Sequence, residues 1–212
     1  MFGWKTKRAV NRRLAEPGGA QDGGYMAAPT GFMTGTRVAS NLGWTNVETL
    51  ALGDKVLTFD NGMQVVTDIQ RDVLWDVPDR VARALWPMHV PRGALGNRVD
   101  MQLMPDQGVM IESDAVVDVL GDPFAIVPAR ALNGYHGIAP MVPSDPCEII
   151  VLSFDTDEVI YAEGGLLAYC PRPRCIVRDD FQALDMFYTV LDMPAATMLI
   201  EDMTAQGTPQ LT

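Results

Sequence analysis

From Thr36 to Leu74 apolar and polar side chains alternate in short runs, the period of a strand with one buried face. Arg37–Ser40 is such a run, ended by turn residues from Asn41 to Trp44. Val47-Glu48-Thr49-Leu50 reads as the next, before a turn at Gly53-Asp54, and Lys55 to Phe59 as a third. Asp60-Asn61-Gly62 is a hairpin signal, because Asn-Gly accepts positive φ at both turn positions, and Gln64 to Ile69 is the return strand. Arg71 to Trp75 and Val81 to Leu85 continue the pattern. After Pro87, Pro91 and the loop Gly93 to Gly96, Met101–Met104 and Gly108–Ser113 flank Pro105-Asp106. Ala115 to Leu120 is another apolar run and favours strand. Ile126 to Leu132 reads as a strand entering a helical turn, and Glu148–Phe154 and Glu158–Ala162 as two further strands. Many short strands between turn signals predict a mainly β body.

The period changes after Pro173. Asp179 or Asp180 caps a helix with apolar positions Phe181, Leu184, Phe187, Tyr188 and Leu191. Pro194 starts a second, through Leu199, Ile200 and Met203, closed by Gly207. At the other end, Met1 to Glu16 has helical composition without a clean apolar stripe. Pro17-Gly18-Gly19 stops it, and Gln21 to Gly31 is a Gly/Ala/Pro linker. These readings give a basic N-terminal arm with its linker (1–30), a β body (31–171) and a C-terminal helical extension (172–212).

The formal net charge of −11 is unevenly distributed. Residues 1–30 hold Lys5, Lys7, Arg8, Arg12 and Arg13 against Glu16 and Asp22, a balance of +3, which leaves −14 on the rest. An acidic body repels phosphate backbones, so nucleic-acid or membrane contact is expected only through the basic arm. No apolar run approaches the ~20 residues of a membrane span, and no signal peptide is read; the compartment stays open between virion and cytoplasm.

The three cysteines, Cys147, Cys170 and Cys175, are read as partly buried thiols. The spacing Cys170-P-R-P-R-Cys175 does not match a zinc knuckle, and only His89 and His136 are present, so no metal site is expected. Asp114, Asp118 and Asp122, and likewise Asp155, Asp157 and Glu158, are read as solvated acids, too sparse for calcium. No phosphate-binding glycine loop or serine elbow occurs, and no cofactor or small-molecule substrate is expected.

Several motifs recur in order. Thr34-Gly35-Thr36-Arg37-Val38 is followed by Val47-Glu48-Thr49-Leu50 and Leu52-Gly53-Asp54-Lys55-Val56-Leu57-Thr58. Gly93-Ala94-Leu95-Gly96-Asn97, Met104-Pro105-Asp106-Gln107-Gly108-Val109, Val127-Pro128-Ala129-Arg130-Ala131-Leu132 and Phe154-Asp155-Thr156-Asp157-Glu158-Val159 come after. Together they resemble the bacterial Hint (hedgehog/intein) domain family over about Gly31 to Pro171. The resemblance implies a Hint-like β fold and a self-cleaving chemistry. It places Gly31 at the nucleophile position, Gln107 at the catalytic His position and Asp157 at a later His position. Glycine has no attacking group, and the glutamine amide does not titrate near neutral pH. Cys170 stands near the position of a downstream nucleophile, preceded by Ala168-Tyr169 where a splicing module has His-Asn.

The expectation is therefore a vestigial, non-enzymatic Hint module. Its use would be structural or docking, within a larger assembly such as a phage or phage-like particle (head, neck or tail). Residues 1–30 and 172–212 would contact neighbouring subunits, including other copies in a homo-oligomer. The alternatives are an autoprocessing protein, with Thr30, Thr34 or Thr36 considered as substitute nucleophiles, and a binding module tethered to membrane or nucleic acid by its arm.

Overall fold

The computed structural model describes residues 30–74, 82–114, 116–117, 122–143, 147–172 and 188–207. The arm and the expected helix from Asp179 to Phe187 lie outside these residues. Among the described residues fourteen strands form two antiparallel sheets.

The first sheet runs, in spatial order, β11 (Ala139–Pro140), β7 (Met88–Val90), β8 (Met101–Leu103), β1 (Phe32–Met33), β12 (Cys147–Ser153) and β6 (Asp68–Leu74). The second runs β10 (Phe124–Pro128), β9 (Gly108–Glu112), β14 (Leu166–Cys170), β13 (Glu158–Ala162), β2 (Arg37–Ser40), β4 (Lys55–Thr58) and β5 (Gly62–Val65), with β3 (Gly43–Asn46) paired to β2. Alternation does what the sequence implies: Val38, Ser40, Val56 and Thr58 face inward, while Arg37 and Lys55 face water. The inward faces enclose one main core, with Phe32, Val38, Val56, Leu103, Val109, Val127, Ile150, Ile160 and Leu166 almost fully buried.

Several local expectations are corrected. Val47–Thr49 is a 3-10 turn, not a strand. Four residues of alternation fit both forms, and Leu50 N–H donates to the Val47 carbonyl at 3.3 Å to close the turn. Arg83–Leu85 is likewise a 3-10 turn. Val116 and Val117, in the run from Ala115 to Leu120 expected as a strand, are helical. The hairpin at Asn61-Gly62 is present, but Thr58 pairs with Gly62 across a three-residue loop, and only Gly62 takes positive φ, +66°. Its Asn61 side chain turns inward and donates to both carboxylate oxygens of the fully buried Glu158, at 3.1 Å each. The expected return strand to Ile69 is split at Val66-Thr67, and its second part crosses into the first sheet as β6.

Toward the C-terminus, Tyr188 and Leu191 lie outside any helix. Ile126 N–H donates to Thr189 C=O and Leu191 N–H to Ile126 C=O, each at 2.9 Å, so this segment lies parallel along the edge of β10. The helix Met193–Gly207 follows, as the sequence predicts, and buries Ala196, Leu199 and Ile200 in the main core. No helix among the described residues is long and apolar enough to cross a membrane.

Glu163, at the end of β13, has φ of +45° and is 4% exposed. Its carboxylate accepts from the Arg37 backbone N–H at 2.7 Å and from the Arg37 guanidinium Nε and Nη2 at 3.2 and 3.0 Å. Arg37 is half exposed, which screens the charge pair, but the backbone donor is not replaced by water at no cost. Glu163→Ala is expected to destabilise the chain by about 2 kcal/mol in urea unfolding; no change in the midpoint would contradict this role.

Candidate functional site

β1 begins at the point where the linker enters the body, and it is sandwiched between β8 and β12, Phe32 pairing with Leu103 and Ile150. Gly31 just precedes it, buried, with φ of +126°. A Cβ built there would lie 2.7 Å from Ile149 Cγ2, 2.9 Å from the Ile150 carbonyl oxygen and 2.9 Å from Val151 Cγ2. Glycine is thus required twice, by the left-handed backbone and by the close approach of β12.

Gln107 ends the tight turn after Met104 and is 2% exposed. Its Oε1 accepts the Gly31 N–H at 2.9 Å, and its Nε2 donates to the carbonyls of Gly108 at 3.0 Å and Tyr169 at 2.8 Å. One N–H and two carbonyls fix the amide orientation, since a flipped amide would oppose donor to donor and acceptor to acceptor. The side chain therefore joins the entry of the body to the last residues of β14. Next to it, Arg130 pairs with the Asp106 carboxylate, while the Arg130 and Ala129 amides bond Pro105 and Gln107 carbonyls at 2.9 Å.

The structure thus brings Gly31 and Gln107 into direct contact. Asp157 is 8% exposed, and its Oδ1 accepts the Arg172 N–H at 2.8 Å, where the chain leaves β14. Cys170 is buried opposite Glu158. Burial, with the Glu158 carboxylate adding to it, pushes the thiol well above its ordinary range, so Cys170 is neutral and a poor nucleophile. Native Cys170 is expected to resist iodoacetamide over an hour and to react at once in denaturant; peptide mapping of the alkylated chain reads this.

The Hint domain model matches residues 30–167. The chain belongs to the Hint domain family. Among solved structures, the chain is similar to a glutathione-linked, splice-inactive variant of the AceL NrdHF class 3 split intein, at 16% identity and a TM-score of 0.46, covering 69% of this chain and 100% of that one. It is also similar to the bacterial intein-like domain from Clostridium thermocellum, at 13% identity and a TM-score of 0.48, covering 67% of this chain and 99% of that one. The gp41-1 intein follows at 11% identity and a TM-score of 0.39, covering 66% and 98%. No curated protein matches the sequence.

Within this Hint module the polarity of the contact is thus defined: the Gly31 N–H donates to Gln107 Oε1, and Gln107 Nε2 donates to two carbonyls. Gly31 supplies no attacking atom. Among the described residues no group of His, Cys, Asp and Glu side chains is arranged to hold a metal ion.

Sequence reasoning singled out Gly31, Gln107 and Asp157 through the motif order, and the structure places the first two in contact. It missed Glu163 and the Asn61–Glu158 contact. The signal for Glu163 is the Glu163-Gly164-Gly165 run after an apolar strand, a tight turn with an acid at its left-handed position.

Proposed function

We propose that this Hint module is a non-cleaving joint that holds the segments entering and leaving it side by side. The observation that carries this reading is the Gln107 side chain, whose three hydrogen bonds link the Gly31 amide to the end of β14. A group that would release the N-terminal segment is replaced by one that ties it down. In its finer form, the chain is a structural or docking subunit of a larger assembly, such as a phage or phage-like particle. That form draws support from the +3 arm on an acidic body, from segments outside the 30–167 match, and from the exposed helix face bearing Met193, Met198, Glu201 and Asp202.

Two measurements test the joint. Incubated for a day with thiol or hydroxylamine, the chain is expected to keep its intact mass of 23.2 kDa; fragments from a break at Thr30–Gly31 would refute the reading. Gln107→Leu strips partners from three backbone groups, the Gly31 N–H and the Gly108 and Tyr169 carbonyls, and is expected to cost about 2–4 kcal/mol. The Gly31 amide, protected from hydrogen exchange in the parent chain, should then exchange at least tenfold faster. The assembly form is tested by mass spectrometry of purified particles from cells that express the chain, where its absence from every complex would exclude it.

A further inference from the structure

Natural sheets block their free edges with charge, proline, shortness or a covering segment. Four of the free strand edges in this molecule can be compared directly. β11 has two residues and contains Pro140. β6 carries the exposed acids Asp68 and Asp72. β10 is covered by Thr189 to Leu191 of the same chain. Among the described residues, β5 has none of these devices. The run Gly62 to Thr67 has no ionisable side chain, although residues 31–212 together carry a net charge of −14, and among the described residues β4 is its only strand neighbour.

Its outward side chains are apolar. Met63 and Val65 are 44% and 41% exposed. They end a row that crosses the sheet: Trp44 pairs with Ala39, Leu57 pairs with Met63, and the Ser40–Val56 pairing sets Ala39 beside Leu57. Trp44, Ala39, Leu57 and Met63 thus lie in line across β3, β2, β4 and β5, on the face away from the core. β3, at the other end of the row, is also uncharged, but it offers Trp44 alone between Gly43 and Thr45.

We infer that β5 pairs edge to edge with β5 of a second copy of this chain. An antiparallel pair about a two-fold axis at Gln64 sets Met63 of one copy against Val65 of the other, twice. Within the run Gly62 to Thr67 no charge opposes its own image across the axis, which is the usual obstacle to self-pairing of an acidic protein. The apolar row becomes continuous over both subunits, and the backbone groups of the edge gain partners. This inference does not depend on the joint proposed above.

The test is the mass of the full chain in solution by size-exclusion chromatography with light scattering, from about 1 µM to about 1 mM. The expected result is a concentration-dependent rise from 23.2 kDa to twice that value. Val65→Lys and, separately, Met63→Lys should weaken the dimer at least about tenfold, since each substitution acts twice in a symmetric pair. Asp68→Lys, on a different edge, should leave the dimer intact. Gln64→Cys supplies a reading independent of stability: under mild oxidation the engineered thiols should join two chains covalently through position 64, a linkage that peptide mapping distinguishes from any made by the native cysteines. A chain that stays at 23.2 kDa to the highest concentration overturns the inference. So does a dimer that both lysine variants leave unchanged, or the absence of the cross-link.

Discussion

Gly31→Cys is expected to lower the stability of the chain by about 3–4 kcal/mol and to produce no cleavage, alone or with Gln107→His. The φ of +126° disfavours any residue with a Cβ, at a cost of about 1–2 kcal/mol. The β12 contacts at 2.7 to 2.9 Å add overpacking, typically about 1–3 kcal/mol. For a chain of 212 residues this corresponds to a fall in melting temperature of roughly 10 °C. One of the three close atoms is a backbone carbonyl, which does not turn away as a side-chain end does. A thiol at this position therefore displaces the strand it enters from, and the attack geometry is lost with it. Differential scanning calorimetry and intact mass together read the result. A double variant that melts at the parent temperature and releases its N-terminal segment would contradict both the packing argument and the joint.

The second large effect concerns the end of the chain. Removing residues 188–212 is expected to abolish cooperative unfolding and to leave an aggregating species. The deletion uncovers the β10 edge and takes Ala196, Leu199 and Ile200 from the main core, each of them 8% exposed or less. Burying the two larger side chains alone is worth about 2 kcal/mol each, a large fraction of an ordinary net stability of about 5–15 kcal/mol. The tail also has a pH signature. Tyr188 packs on Met110, Ile126 and Val159, and its hydroxyl donates to Asp60 at 2.7 Å. Burial, the hydrogen bond to Asp60 and the neighbouring carboxylates of Asp60, Glu158 and Asp157 all raise its pKa. An unfolded tyrosine loses its proton near 10, whereas the docked one keeps it. The contribution of Tyr188 is thus fully present below about pH 10 and declines as pH rises above it. Tyr188→Phe should flatten that alkaline decline in urea titrations; an unchanged slope would remove Tyr188 as its source.

The body was legible in the sequence because its motifs mark turns. Gly53-Asp54, Asp60-Asn61-Gly62 and Pro105-Asp106 punctuate runs whose alternation gives the strand faces, and the ladder of β2, β4, β9, β12 and β13 follows from them. What was not legible was sheet membership. Gln64 to Ile69 reads as one strand, yet the chain changes sheets at Val66-Thr67, where no glycine or proline marks the crossing. Val47–Thr49 is too short for periodicity to separate a strand from a 3-10 turn. Tyr188 and Leu191 were misread for a different reason: they share helical spacing with Phe181, Leu184 and Phe187, but they are claimed by contacts made at a long range in sequence, Asp60 and Ile126, which outweigh local pattern. At the junction, sequence order named Gly31 and Gln107, but only coordinates show the missing Cβ space and the direction of the hydrogen bond.

The crowding around Gly31 also limits how this position can change. Ile149 and Val151 of β12 fill the space that a side chain at position 31 would need. A single codon change from glycine to a residue with a thiol or hydroxyl therefore damages the fold before any chemistry could reward it. The tight packing at β12 works as a ratchet on position 31, filtering substitutions by fit first and by reactivity second.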